Sequence, residues 1–369
     1  MAYNVVVSFE QKMDTIPPAS PAEKGAAARG SIEAMATNAS MMIDRQPLVS
    51  VIVPMYQSAP YLRNSLNSVQ AQTYANLEVL LIDDGSTDET IAIAQEYLNR
   101  DSRFRLIRQE TRGVSAARNA GLDAATGEWI ASMDSDDELV PTAIHTLVTA
   151  ALENDVAMSM GAYVECHPVK PIPFRRTVGA KPCVLRTTEE VQRYFLTDGQ
   201  FLCHMWTKLF RRDLFDELRF PEGKIYEDNF IMPDVLEAAG SCAVVNVPVY
   251  HYLVHKGSVS TAVNIRHQMD GLEARLYYAD FMSRHHPALV PLANDAALSF
   301  ACNLLGKMEH VGVDTVPEEW QETLATIDQL LPESALQNGI YRAAAALYRR
   351  NPRIISHLVH WGLVLDRMI

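Results

Sequence analysis

The chain has 369 residues, 48% of them hydrophobic and 21% charged, an ordinary globular composition that excludes global disorder. Acidic residues outnumber basic ones by 45 to 32, and the formal charge of −13 excludes a nucleic-acid binder that works through a broad basic surface. No stretch approaches ~18 uninterrupted apolar residues, so no membrane-spanning helix is expected.

Residues 1–46 form a lead-in rich in Ala, Pro, Ser and Gly with no sustained period, expected to be disordered or weakly ordered. They lack the basic-then-apolar pattern of a secretory signal. The five cysteines (Cys166, Cys183, Cys203, Cys242, Cys302) are widely spaced with no CxxC. They define neither a disulfide framework nor a zinc site, and inert thiols in a reducing cytoplasm are the expectation.

Order begins at Pro47. Leu48–Val53 is a continuous apolar, β-branched run, as in a strand covered on both faces. Tyr61–Gln72 has helical spacing, and Leu77–Ile82 is a second strand. Ser86-Thr87-Asp88-Glu89 fits a capping box opening a helix to about Asn99. Phe104–Arg108 is a third strand, Val114–Ala125 a helix ended by Gly127, and Glu128–Met133 a fourth strand. Pro141 at a first helical position opens another helix. His167–Pro182 reads as a loop or hairpin insertion and Thr187–Leu196 as a helix. Cys203–Phe210 and Ala243–Tyr252 are candidate strands with a helix at Glu227–Ala239 between them. Beyond Asn264 the pattern turns helical: Gln268–Arg284, Pro291–His310, Glu318–Leu331, Ser334–Arg349 and His357–Arg367. Alternating strands and helices imply right-handed βαβ units and a mostly parallel sheet, whose ligands sit beyond the carboxyl ends of the strands. Tyr56, Asp83-Asp84 and Asp134–Asp137 all follow strand ends and so converge on one crevice.

Asp134-Ser135-Asp136-Asp137 is the strongest chemical signal. Two unit charges ~4 Å apart repel by about 4 kcal/mol at an effective dielectric of ~20, and a divalent cation removes that cost. Hard oxygen ligands at a strand end suit Mg²⁺ or Mn²⁺ bound together with substrate phosphates; a solvated acidic turn is the alternative. Asp83-Asp84-Gly85-Ser86 offers carboxylates to a ribose hydroxyl or base N–H, or only shapes a turn. In Gly113–Asn119, Arg118 either points its guanidinium at a diphosphate or makes a surface ion pair. A GxGxxG phosphate loop is absent, which disfavours a dinucleotide site.

In order and spacing, Val51–Tyr56, the Tyr61–Thr73 helix, Asp83–Asp88, Gly113–Asn119 and Asp134–Asp137 resemble the family 2 nucleotide-sugar glycosyltransferases of the GT-A fold. The resemblance resumes at Trp206–Phe210, Tyr226–Asn229 and Tyr250–Ser260. It implies a GT-A domain over residues 47–262, with a nucleotide-sugar half (47–140) and an acceptor half (141–262), followed by a helical extension (263–369). It also implies roles. Pro54 and Tyr56 would line the nucleobase pocket, and Asp84 would contact base or ribose, supported by Asp83. Arg118 would lie near the nucleotide. Asp136 would touch ribose or metal, Asp137 would bind the metal bridging the diphosphate, and His255 would be a third metal ligand or a phosphate donor. Asp228 would be the catalytic base, with Glu227 as the alternative. Trp206 and Lys208 would form an acceptor wall. Two departures stand out: Gln57 where the family often has Asn, and Leu253 where a basic residue is common.

The reading implied is an inverting, metal-dependent transfer from a nucleotide-diphosphate sugar, with a UDP-sugar as donor. The acceptor would be a saccharide or lipid-linked saccharide in polysaccharide assembly. The expected location is cytoplasmic, with peripheral membrane contact through Arg342, Arg349, Arg350 and Arg353 and a homodimer both open. Two other classes remain. A non-catalytic sugar-nucleotide scaffold would bind donor without product. A nucleotidyltransferase would carry a Gly-rich basic loop after the first strand, where Pro54–Gln57 stands instead.

Overall fold

Seven consecutive residues, Val49–Met55, are buried without exception and form strand β1. Its side chains alternate: Val49, Val51, Val53 and Met55 enter one apolar cluster, whereas Ile52 enters another. Strand β2, Leu77–Asp83, is equally buried and divides the same way, Val79 and Leu81 against Leu80 and Ile82. A sheet apolar on both faces needs helices on both, and the computed structural model supplies them. It describes residues 46–167, 174–178, 181–197, 203–255, 264–310 and 318–330.

One helical layer contains α1 (Ala59–Gln70), α2 (Thr90–Arg100) and, after α3 (Val114–Ala124), α4 (Ala143–Asn154). It contributes Leu62, Leu66, Ile93, Tyr97 and Leu147 to the first cluster. The opposite layer contains α3 (Val114–Ala124), α5 (Thr188–Thr197) and α6 (Glu227–Ala239). It contributes Ala117, Leu122, Phe195, Met232 and Leu236 to the second.

The remaining strands are β3 (Phe104–Arg108), β4 (Trp129–Ser132), β5 (Glu138–Leu139), β6 (Met158–His167), β7 (Phe174–Val178), β8 (Cys183–Leu185), β9 (Lys208–Arg211) and β10 (Cys242–Leu253). The sheet order is β3-β2-β1-β4-β9-β6-β10-β5, with β7 added to β6 and β8 to β10. Strands β3, β2, β1 and β4 are parallel, β9 runs against both β4 and β6, and β6 and β10 are parallel. The chain winds outward from β1 through β2 to β3, then returns to place β4 on the other side of β1. That reversal opens a crevice at the carboxyl ends of β1 and β4, where such sheets bind ligands.

At the opposite, amino edge, Glu78 is 9% exposed inside β2. Its Oε1 accepts hydrogen bonds from the Ser50 hydroxyl, the Thr126 and Gly127 amides and the Thr126 hydroxyl. Against the cost of burial, these donors hold its pKa below the usual value. Gly127 is required here, because a Cβ would lie 2.6 Å from Ser50 Oγ and 2.8 Å from the Leu48 carbonyl oxygen.

The predicted helix after β2 begins later than the capping box implies. Ser86 stays in the loop, its hydroxyl accepting the Gln57 N–H and its own N–H donating to Asp83 Oδ1. Asp88 Oδ1 takes the Thr90 N–H and starts α2 instead. Helix α4 likewise starts two residues after Pro141. The 167–182 insertion contains β7, antiparallel to β6. Three helices follow β10: α7 (Ile265–His285), α8 (Val290–His310) and α9 (Glu318–Leu330). They belong to the same compact unit as the sheet. The expectations for residues 1–45, for the helices at Ser334–Arg349 and His357–Arg367, and for the arginines at 342–353 lie outside the described residues. Among the described residues, no helix is long and apolar enough to cross a membrane.

Candidate active site

A cavity of about 800 Å³ lies at the carboxyl ends of β1 and β4. Its wall brings together Pro54, Tyr56, Asp84, Arg118, Asp136, Trp206, Glu227, Asp228 and His255. Nine residues singled out from the sequence thus converge although they span 54–255. Asp83, Asp137 and Lys208 are absent from the wall.

Tyr56 stands at the mouth, 54% exposed, on the turn that ends β1. The next residue, Gln57, has φ 51°, in the left-handed region. Its side-chain amide donates to Thr87 Oγ1 and accepts the Thr87 and Asp88 N–H groups, so the longer arm fastens the loop before α2. Ser58 Oγ and Ser135 Oγ, 2.6 Å apart, bind the β1 loop to the β4 loop.

Asp84 is buried, and its carboxylate is occupied by protein donors. Oδ1 accepts from Gln109 Nε2 at 2.6 Å and the Arg112 N–H at 2.8 Å, and Oδ2 accepts the Gly113 N–H at 2.8 Å. It shapes the loop feeding α3. Asp83, fully buried, holds the Ser86 N–H behind it and lies 3.6 Å from Arg108 Nε.

The Gly113–Asn119 motif acts on the distant segment that precedes α6. Arg118 is buried between two carboxylates, Asp134 Oδ1 at 2.9 Å and Glu227. Asn119 exchanges two hydrogen bonds of 2.9 Å with the backbone of Phe220. Burial first, and the charges of Asp136 and Asp228, push the Asp134 pKa up against the pull of Arg118.

The acidic cluster after β4 splits in two. Asp136 faces the cavity, its Oδ2 2.9 Å from His255 Nε2, while the His255 ring stacks on Tyr61 at 4.2 Å. Asp137, expected to bind the metal, is turned away. It is 1% exposed, and its Oδ1 accepts the Leu253 N–H at 2.7 Å. This carboxylate fastens the end of β10 rather than facing a ligand. Burial, then Asp136 and Asp134, push its pKa well above the ordinary value. Among the described residues, no three His, Cys, Asp or Glu side chains form a metal cage.

Glu227 and Asp228 open α6, where the helix dipole favours negative charge. Glu227 is spent on Arg118. Asp228 Oδ1 accepts the Asn229 N–H and Nδ2, each at 2.8 Å, and its side chain reaches the cavity wall.

Trp206 forms one wall within an aromatic stack. Its ring lies 3.9 Å from His204, 4.4 Å from Tyr250 and 5.5 Å from Tyr252, all within 20° of parallel. The stack was not read from the sequence; the signal was Tyr250 and Tyr252 at strand period beside the His204–Trp206 pair.

Lys208, expected on the acceptor wall, starts β9 with its side chain inward. It is 1% exposed, and Nζ donates to the His204 carbonyl at 2.6 Å. Burial lowers its pKa to about 8. The folded state therefore binds fewer protons than the unfolded chain between about pH 8 and 10.5, and stability contributed by this group rises with pH across that window. Chemical denaturation of wild type minus Lys208→Met should show a rise on the order of 3 kcal/mol from pH 7 to 11. A flat difference would mean that the ammonium is not desolvated. Cys242, whose thiol burial pushes up to about 12, gives the opposite trend in both proteins.

A family model described as glycosyl transferase family 2 matches residues 50–219. Glycosyltransferase GlyG of Streptococcus pneumoniae serotype 4 is 31% identical over 218 residues, covering 58% of this chain and 72% of GlyG. The chain belongs to glycosyl transferase family 2. Glycosyltransferase GlyA of the same organism is 31% identical over 231 residues, 60% of this chain but only 32% of the longer GlyA. Among solved structures, Staphylococcus aureus TarS 1–349 in complex with UDP-GlcNAc superposes with a TM-score of 0.61 at 21% identity. The match covers 85% of this chain and 92% of TarS 1–349. The family 2 domain is thus a mixed α/β fold with a central, mostly parallel sheet, shared with TarS.

Proposed function

We propose that this family 2 protein transfers a sugar from a nucleotide-diphosphate donor, a UDP-sugar, to a saccharide hydroxyl with inversion at the anomeric carbon. The observation that carries the reading is the meeting, in one cavity, of Asp136 and His255 from the ends of β4 and β10 with Asp228 at the start of α6. The UDP-GlcNAc complex of TarS, which has the same fold, supports the donor class.

In this reading Tyr56 stacks on the nucleobase and Trp206 packs against sugar C–H faces. Asp228 takes the proton of the acceptor hydroxyl through Oδ2 while that oxygen attacks the anomeric carbon. The bond from that carbon to the diphosphate breaks, and the nucleoside diphosphate leaves with the electron pair. Glu227 is neutralised by Arg118 and serves to place the helix start, so Asp228 is the base of the two.

A divalent cation fits the donor set. Asp136 and His255 face the cavity together, and Mg²⁺ or Mn²⁺ takes one or two protein ligands plus substrate phosphates rather than a closed cage. When bound it would supply charge neutralisation for the leaving diphosphate.

The test is nucleoside diphosphate release from a panel of nucleotide sugars and acceptors, with Mn²⁺ or with a chelator. UDP release that depends on both acceptor and Mn²⁺, with inverted product, is expected. Asp136→Asn should raise the Mn²⁺ concentration for half-maximal rate by about tenfold or more. Donor binding without product would mark a scaffold, and pyrophosphate release a nucleotidyltransferase; either would sink the reading.

A further inference from the structure

Tyr226, immediately before the Glu227-Asp228 pair, has φ 63° and ψ 35°. A tyrosine rarely adopts this left-handed conformation, and such a residue persists where its surroundings over-determine it. The surroundings here come from the helices after the sheet. The Tyr226 hydroxyl accepts from Gln268 Nε2 at 2.9 Å. Its ring packs edge-on to Phe300 of α8, with centroids 6.0 Å apart. The ring also lies so close over Gly271 that a Cβ there would sit 3.0 Å from two ring carbons and 2.7 Å from Phe300 Cζ.

One residue away, Asp270 accepts the Ile225 N–H through Oδ2 and the Lys224 ammonium through Oδ1, both at 3.1 Å. Farther along, α7 is fixed to α5 and α6. The Tyr277 hydroxyl donates to Asp234, the Tyr278 hydroxyl to Gln192, and His286 pairs with Glu237. The first turns of α7 therefore grip the segment 224–226 while its later turns are anchored to the helix that carries Asp228.

We propose that α7 is part of the catalytic apparatus: Gln268, Asp270 and Gly271 are positioning residues that hold Tyr226 left-handed and so direct Asp228 into the cavity. The proposal rests on the reading of Asp228 as the base.

The experiment compares Asp270→Ala, Asp270→Asn, Gln268→Ala and Asp228→Asn in the full chain. It reads kcat, donor KM, UDP binding by calorimetry and the thermal midpoint. Asp270→Ala should lower kcat at least tenfold while UDP affinity stays within twofold. Asp270→Asn keeps an oxygen for the Ile225 N–H and should recover most of the loss, which a general loosening of the fold would not. Gln268→Ala removes the partner of the Tyr226 hydroxyl. It should lower kcat about threefold or more, and it carries the test if Asp270→Ala does not fold. If kcat stays within twofold in both alanine variants while Asp228→Asn is inactive, the positioning role is overturned and the base stands. Parallel losses of kcat and UDP binding overturn it as well. If Asp228→Asn keeps wild-type kcat, the base assignment falls and takes the proposal with it.

Discussion

Asp228→Asn should lower kcat by about 10²- to 10⁴-fold, the usual contribution of a positioned general base. The substitution keeps the shape of the side chain and its Oδ1 acceptor for the Asn229 N–H, so the start of α6 should survive. Binding of UDP, governed in this reading by the far side of the cavity, should change less than twofold. Glu227→Gln offers the contrast. Because Glu227 is paired with Arg118, its replacement should act on stability more than on the chemical step. Single-turnover rates for both variants decide between the two carboxylates. A larger chemical defect in Glu227→Gln than in Asp228→Asn would reverse the assignment.

Arg118→Met should destabilise the fold by about 3–5 kcal/mol, the cost of removing one partner from a buried ion pair. The Arg118 side chain is 7% exposed and Glu227 9%, and Arg118 also faces Asp134. Without the guanidinium, two carboxylates confront each other in a cavity wall with no countercharge. The urea midpoint should fall accordingly, and Arg118→Met combined with Glu227→Gln should recover much of the loss, because the double change leaves one fewer unpaired charge. A single-variant loss below about 1 kcal/mol would mean that water already screens the pair.

The parallel half of the sheet was legible because its strands announce themselves. Val49–Met55 and Leu77–Asp83 are apolar runs followed by turn residues, and acids mark the ends of β2 and β4. Strand β6 left no such mark. Met158-Ser159-Met160-Gly161-Ala162 lacks the β-branched and aromatic enrichment of a strand and gains its identity from pairing with β9 and β10. The capping box misled for a local reason: Ser86 has competing partners across the loop, and a cap motif competes with tertiary hydrogen bonds on nearly equal terms.

The residues of the cavity were legible as a set, because strand-end position follows from topology. Their orientation was not. Whether Asp136 or Asp137 faces the ligand depends on how the turn after β4 meets the end of β10. The inward face of Lys208 depends on the register of β9. Tyr226 was legible as part of a motif, but nothing in a tyrosine signals a positive φ.

The Glu78 knot has a consequence for how such a protein can change. It ties the Thr126-Gly127 turn to β1 and β2 at the edge of the sheet opposite the ligand crevice. The clasp that ties these strands is therefore physically remote from the rim of the cavity. Side chains around that rim can be exchanged, and selectivity altered, while the keel beneath them keeps its alignment.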